Sequence, residues 1–168
     1  MRLAEICSSP VFTAYPEQPL AVAAREMRAR EVGALVVVAQ GVEPQRPLGI
    51  LTDRDILRGQ VYQLADLHCL TVREVMTAHP LCIHADEEIT EAIMTLASRG
   101  VRRAPVIDGS GALVGIVTLD DLLPLIAEQL KELACTAAPH RAATGDANES
   151  RPPVHPRSRD SQRRRAGE

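Results

Sequence analysis

One seven-residue phrase occurs twice in this chain. Residues 49–55 read GILTDRD and residues 115–121 read GIVTLDD. In each, an apolar pair runs into a threonine, Thr52 or Thr118. An aspartate, Asp55 or Asp121, follows three positions later as a helical pattern begins. The repetition extends well beyond the phrase. At a shift of 69 positions Leu3 falls on Val72, Glu5 on Glu74, and Leu20, Ala23, Ala24 and Met27 on Ile89, Ala92, Ile93 and Leu96. The same shift lays residues 32–38, VGALVVV, on residues 101–107, VRRAPVI. The offset then becomes 66, because the loop after residue 38 is three residues longer than its partner, and a surface loop tolerates such a difference. A fixed-period repeat constrains architecture more tightly than any short motif, since each copy must fold as the same unit.

The periodicities describe that unit. Residues 3–7 predict a short helix leading to Pro10, after which residues 11–13 begin an extended segment. Pro19 suits a helix start, where no N–H is needed, and the apolar spacing from Leu20 to Met27 predicts a helix to about Arg30. Residues 34–38 form a continuous valine-rich run, the pattern of a strand buried on both faces. Residues 48–51 predict the next strand, and Thr52 opens a helix ending near Gly59. The second copy follows suit, with a capping box in TVRE at 71–74, a strand at 81–83 and a helix over 87–99. Strands at 104–107 and 112–117 flank a tight DGSG turn. A last helix is predicted from Leu119 to about Leu133, with Pro124 as a kink or a delayed start. Its surplus apolar surface predicts contact with a second copy of the chain, a homodimer. The repeats thus occupy residues 2–60 and 71–133, with an ordered connector at 61–70 packed through Val61, Leu64, Ala65 and Leu67. Residues 134–168, rich in Arg and Pro, carry too little apolar surface to offset their ordering entropy and are expected to be disordered.

Composition narrows the function classes. No run of about 18 apolar residues occurs, so no helical membrane span is expected. The opening residues lack the apolar core of a secretory signal, which makes the cytoplasm the expected location. Phe12, Tyr15 and Tyr62 are the only aromatics, so the core must be aliphatic and no row exists on which single-stranded bases could stack. The net charge of -3 is uneven: residues 1–135 hold 12 basic and 18 acidic side chains, and residues 136–168 hold 7 arginines against 4 acids. An acidic body repels nucleic acid, which leaves Arg163, Arg164 and Arg165 of the tail as the one anion-seeking feature. Cys7, Cys69, Cys82 and Cys135 lack metal-ligand spacing and read as thiols of a reducing compartment. Asp53 with Asp55 and Asp120 with Asp121 bring carboxylates close, but no His or Cys nucleophile has a partner at recognisable spacing, so no catalysis is expected.

The Thr-Asp turns admit two readings. Thr followed by Asp at the third position is close to a capping box, which satisfies exposed N–H groups at a helix start. The same carboxylate, at a strand-to-helix turn, is placed to accept two hydrogen bonds from a ribose diol while nearby helix N–H groups attract phosphate. Both readings can hold together.

The doubled order of strand, helix, strand, strand, helix, with VGALVVV leading to GILTDRD and VRRAPVID leading to GIVTLDD, closely resembles the CBS domain pair, named for cystathionine beta-synthase. The resemblance covers about residues 2–132. It implies an α+β fold of two β-α-β-β-α repeats packed sheet to sheet with pseudo-twofold symmetry, usually dimeric. It also implies two clefts for adenosyl ligands such as AMP, ADP, ATP or S-adenosylmethionine, with no cofactor required. Carried over by position, Asp55 and Asp121 resemble ribose-diol acceptors, and Thr52 and Thr118 their hydroxyl partners. The backbone at Gly33, Ala34 and Leu35 and at Arg103, Ala104 and Pro105 resembles the edge that reads adenine, with Thr13 and Ile83 beginning the opposite walls. Val36 departs from the pattern where the second copy has Pro105. Arg54 stands where the second copy has Asp120, which places any phosphate near Arg54, assisted by Arg102 or Arg103. The function so implied is a regulatory ligand-sensing module acting on a separate, unidentified protein; the alternative is a ligand-free interaction module whose turns are caps alone.

Overall fold

A run of five apolar residues can be buried on both sides only between two layers, and Ala34–Val38, strand β2, is buried at every position. In the computed structural model, which describes residues 1–63 and 66–137, β2 lies parallel to β1, Thr13–Ala14, and antiparallel to β3, Pro47–Thr52. Helix α1, Leu20–Ala29, makes the crossover between the parallel strands. Its Leu20, Ala23 and Met27 pack on the face of the sheet that carries Leu35, Val37 and Leu51. Helix α2, Asp53–Gln63, closes the repeat. The opposite face of β2, with Ala34, Val36 and Val38, is buried too and turns to the second repeat.

The second repeat uses the same register. Strand β5, Ile83–His84, is parallel to β6, Arg103–Ile107, which is antiparallel to β7, Leu113–Thr118. Helix α4, Ile89–Ser98, lays Ile89, Ala92 and Leu96 on Ala104, Val106 and Val117, and α5, Leu119–Ala137, ends the described chain. The fold is α+β, two β-α-β-β-α repeats packed sheet to sheet about a pseudo-twofold axis. None of the described helices is long and apolar enough to cross a membrane.

The segment leading each repeat packs on the other one. Leu3, in the 3-10 turn Leu3–Glu5, is wholly buried in the second core beside Ile83, Leu96 and Leu122. The N–H of Leu3 donates to the Glu87 carbonyl at 3.0 Å and that of Ala4 to Ala85 at 2.9 Å. Its counterpart Val72, on the short helix α3, Val72–Val75, is buried in the first core with Leu20, Leu35 and Leu51, and its N–H donates to Gln18 at 3.0 Å. Strand β4, Thr77–Ala78, then adds to the edge of β3, just as Ser8 bridges to Ile116 of β7. The crossing needs room that only glycine leaves. A Cβ on Gly49 would stand 2.5 Å from Met76 Sδ, and one on the equivalent Gly115 would strike Cys7 Sγ.

Several boundaries depart from the sequence expectations, for identifiable reasons. Helix α2 continues past Gly59 because that glycine is a contact and not a stop: its Cβ would meet Val75 Cγ2 at 3.0 Å. The connector 61–70 therefore begins inside a helix, and Val61 is 60% exposed where packing is expected. Leu67 and Leu70 do pack on the first core, while Leu64 and Ala65 lie outside the described residues. The spacing predicts no strand at 77–78, and the strand expected at 81–83 is Ile83–His84. Pro124 sits early in α5 and removes one bond, to the Asp120 carbonyl, without ending the helix. The helix takes the first four residues of the expected tail, and the rest of 134–168 lies outside the described residues.

Candidate functional site

Each Thr-Asp turn is a reciprocal cap. The Thr52 hydroxyl donates to Asp55 Oδ2 at 2.6 Å and the Thr52 N–H to the same oxygen at 3.0 Å, while the Asp55 N–H donates to Thr52 Oγ1 at 3.2 Å. Thr118 and Asp121 repeat the three bonds at 2.8, 3.1 and 3.2 Å. The carboxylates thereby sit at the positive ends of α2 and α5. Thr71 donates likewise to Glu74, through its hydroxyl at 2.8 Å and its N–H at 2.7 Å, and these bonds hold the Glu74 carboxyl below its ordinary value of 4.5. Capping geometry is therefore common to all three turns. What sets the aspartates apart is that each lines a cleft between the repeats, where its Oδ1 accepts no hydrogen bond among the described residues.

The first cleft, of about 460 Å³, joins Ile50, Thr52 and Asp55 of the first repeat to Thr77, Val101, Arg102 and Arg103 of the second. The second, of about 220 Å³, joins Ile116, Thr118 and Asp121 to Ser8, Val32, Gly33 and Ala34. Under the shifts of 66 and 69 these are equivalent residues, so the pseudo-twofold axis turns one cleft into the other. The crossed leaders complete both, with Thr77 in one and Ser8 in the other. Pro10, Val11 and Phe12 add an apolar wall to the second cleft; Arg30, outside its lining, stacks over the Phe12 ring at 4.5 Å.

Charge breaks this symmetry. Where the first cleft has Arg54, Arg102 and Arg103, the equivalent positions hold Asp120, Gly33 and Ala34. Arg102 reaches Asp120 at 3.2 Å, but the two side chains are 72% and 69% exposed. Such a pair contributes about 0–1 kcal/mol, so an incoming anion displaces it readily. Arg103 forms no ion pair among the described residues. The arrangement can grip a diol on a free carboxylate oxygen and a phosphate on three guanidinium groups, all in one hollow.

The residues singled out in the sequence fall into two groups that share one member. Thr52, Arg54, Asp55 and Arg102 meet in the first cleft, Gly33, Ala34, Thr118 and Asp121 meet in the second, and Arg103 lines both. Leu35, Ile83 and Ala104 point into the cores and are fully buried, and Pro105 is buried as well. Thr13 pairs with Val36 in the sheet and lines neither cleft. Ser8, Pro10 and Phe12 wall the second cleft and Thr77 the first, whereas Ile83 is buried and Thr13 half-buried in their short strands. The alignment of Ser8 with Thr77 at shift 69, two small hydroxyl residues flanking an apolar leader, is the signal that marks those walls. No group of three or more His, Cys, Asp or Glu side chains suited to a metal occurs among the described residues.

Comparison with known proteins agrees with this geometry. The CBS domain family model matches residues 3–62 and 72–128. An uncharacterised protein of Methanopyrus kandleri is 32% identical over 119 residues, which are 71% of this chain and 59% of that protein, so the chain spans about three fifths of that relative. The CBS domain pair of protein MJ0100, solved with 5'-methylthioadenosine and S-adenosyl-L-methionine, superposes with a TM-score of 0.67 at 25% identity over 77% of this chain and 98% of its own. A CBS domain protein of Pyrobaculum aerophilum, solved with AMP, gives 0.68 at 25% identity over 80% and 99%. With the family model matched twice along the chain and the fold shared with solved CBS domain pairs, the chain belongs to the CBS domain family as a tandem pair.

Proposed function

We propose that this chain is a regulatory module that senses an adenosyl ligand, with a phosphorylated nucleotide such as AMP in the first cleft. The observation that carries this reading is the convergence of Asp55, with one free oxygen, and Arg54, Arg102 and Arg103 from two repeats around a hollow of about 460 Å³, within the range of small-molecule sites. The complexes of similar CBS pairs with AMP and with methylthioadenosine and S-adenosylmethionine support the ligand class. The ligand is sensed and not consumed, and the regulated partner is a separate protein. Four free cysteines suit a reducing, cytoplasmic setting.

Titration calorimetry with AMP, ATP and S-adenosylmethionine tests the reading. AMP is expected to bind and Asp55→Ala to abolish binding at the first cleft while the circular dichroism spectrum is retained. No heat with any of the three at millimolar concentration refutes it. A second reading, an interaction module, draws on the apolar row that α5 exposes at Leu123, Leu130 and Leu133, 56%, 60% and 66% exposed. Leu57, the counterpart of Leu123 on α2, is 62% exposed. We take this surface as the homodimer contact, compatible with sensing.

A further inference from the structure

We propose that Arg103 serves both clefts, so that anionic ligands in the two sites compete for one guanidinium; this rests on the adenosyl-ligand reading above. Arg103 opens β6 between the repeats and lines the cleft of Asp55 and the cleft of Asp121 alike. Its guanidinium stands over Gly33, where a Cβ would lie 3.5 Å from Nη1 and 3.9 Å from Nη2. It is the one basic residue among the described lining of the second cleft, since Gly33, Ala34 and Asp120 stand where the first cleft's arginines would be.

A guanidinium presents its planar fork to one phosphate at a time. A nucleotide phosphate in the first cleft meets Arg54 and Arg102 as well, so that cleft has the stronger claim on Arg103. Once Arg103 turns to it, a phosphate in the second cleft faces Asp121 with no counter-charge. An uncharged adenosyl ligand makes no such demand. It also gains the space the arginine leaves, in a hollow whose 220 Å³ is otherwise small for a ligand of that size. The two clefts are therefore specialised, the first for a phosphorylated nucleotide and the second, when the first is filled, for an uncharged adenosyl group.

Titration calorimetry of the full chain measures the coupling. Asp55→Ala disables the first cleft and reports the AMP affinity of the second cleft with Arg103 available. Asp55→Asn, which keeps an acceptor for Thr52, replaces it should the alanine variant unfold. The second AMP bound by the wild type reports the same affinity with Arg103 engaged. The wild-type constant is expected to be weaker by about tenfold or more, the scale of one charge-assisted contact. For adenosine the two constants should agree within about twofold or favour the wild type. In an Arg103→Ala background the AMP ratio should fall to about one. An AMP ratio near one in the wild type, or a tenfold ratio that survives Arg103→Ala, overturns the shared-arginine proposal and leaves the adenosyl reading standing. No heat from either ligand in the wild type overturns both.

Discussion

Whether the leaders cross is decided by Leu3. Its side chain is fully buried in the core of the second repeat. Leu3→Ala removes three carbons, each worth about 0.8 kcal/mol of transfer free energy, or about 2.4 kcal/mol together. The cavity left among Ile83, Leu96 and Leu122 raises the cost, and buried leucine truncations span about 2–5 kcal/mol. A three-residue 3-10 turn relaxes more easily than a strand held in a sheet, so about 3 kcal/mol is the expected value. In a chain of 168 residues each kcal/mol moves the melting temperature by about 2–4 °C. The melting temperature should therefore drop by roughly 6–12 °C in calorimetry or far-ultraviolet dichroism. The exposed neighbour Glu5→Ala is the control, expected within about 0.5 kcal/mol of the wild type. Val72→Ala, the equivalent truncation in the opposite core, should cost roughly 1–3 kcal/mol, as fewer carbons are lost. If Leu3→Ala is no more damaging than Glu5→Ala, the N-terminal turn is not docked. The second cleft then loses its Ser8 wall and the exchange of leaders is wrong.

Stability should also fall in acid in a defined way. Hydrogen bonds from the Ser110 hydroxyl, then the Ala112 and Ser110 N–H groups, hold Asp108 below its ordinary 3.8, and Thr71 does the same for Glu74. A depressed folded value means the contribution is complete above the ordinary value and disappears as pH drops through the folded one. Urea midpoints from about pH 6 to about pH 3 should accordingly decline less steeply in Asp108→Asn and Glu74→Gln, and unchanged slopes would refute the assignment. Burial pushes the Cys7 and Cys82 thiols up, whereas Cys69 and Cys135 are exposed. Maleimide labelling at neutral pH, mapped by mass spectrometry, should find two fast and two slow cysteines, and four equal rates would contradict it. Leu130→Glu on α5 should convert a dimer to monomer in light scattering, with little loss of folding because the residue is 60% exposed; a wild type that is already monomeric removes the proposed contact.

Much of the architecture was legible because apolar spacing reports burial directly. The run Ala34–Val38 and the set Leu20, Ala23 and Met27 each name an element and its inward face. The partner of a buried residue is harder to read. Leu3 and Val72 occupy equivalent places before two nearly identical cores, and their apolarity is satisfied equally in either one. Gly59 shows the same limit: its composition signals a helix stop, and only the approach of Val75 reveals a contact. At the clefts, the meeting of Thr52 with Asp55 and of Thr118 with Asp121 was readable from spacing alone, and so was the charge difference between Arg54 and Asp120. Thr13 and Ile83 misled because strands only two residues long leave their facing undecided until the register is known.

The exchange of leaders gives the proposed sensing a physical route. Because Thr77 and Ser8 come from the opposite repeat, neither cleft belongs to one folded half, and a ligand in either one ties both halves together. Ligand that binds only this joined arrangement stabilises it by about 2.7 kcal/mol at a hundredfold excess over its dissociation constant. The groups it would grip, Thr52 with Asp55 and Thr118 with Asp121, are also the caps of α2 and α5, so the proposed ligand contact and the helix start share the same side chains. Those two helices carry Leu57 and the exposed row of Leu123, Leu130 and Leu133. A change in how a cap is held is therefore a change at the root of the surface offered to a second copy or to a regulated protein. The ligand directs that surface only to the extent that it binds two arrangements of these helices with different affinity.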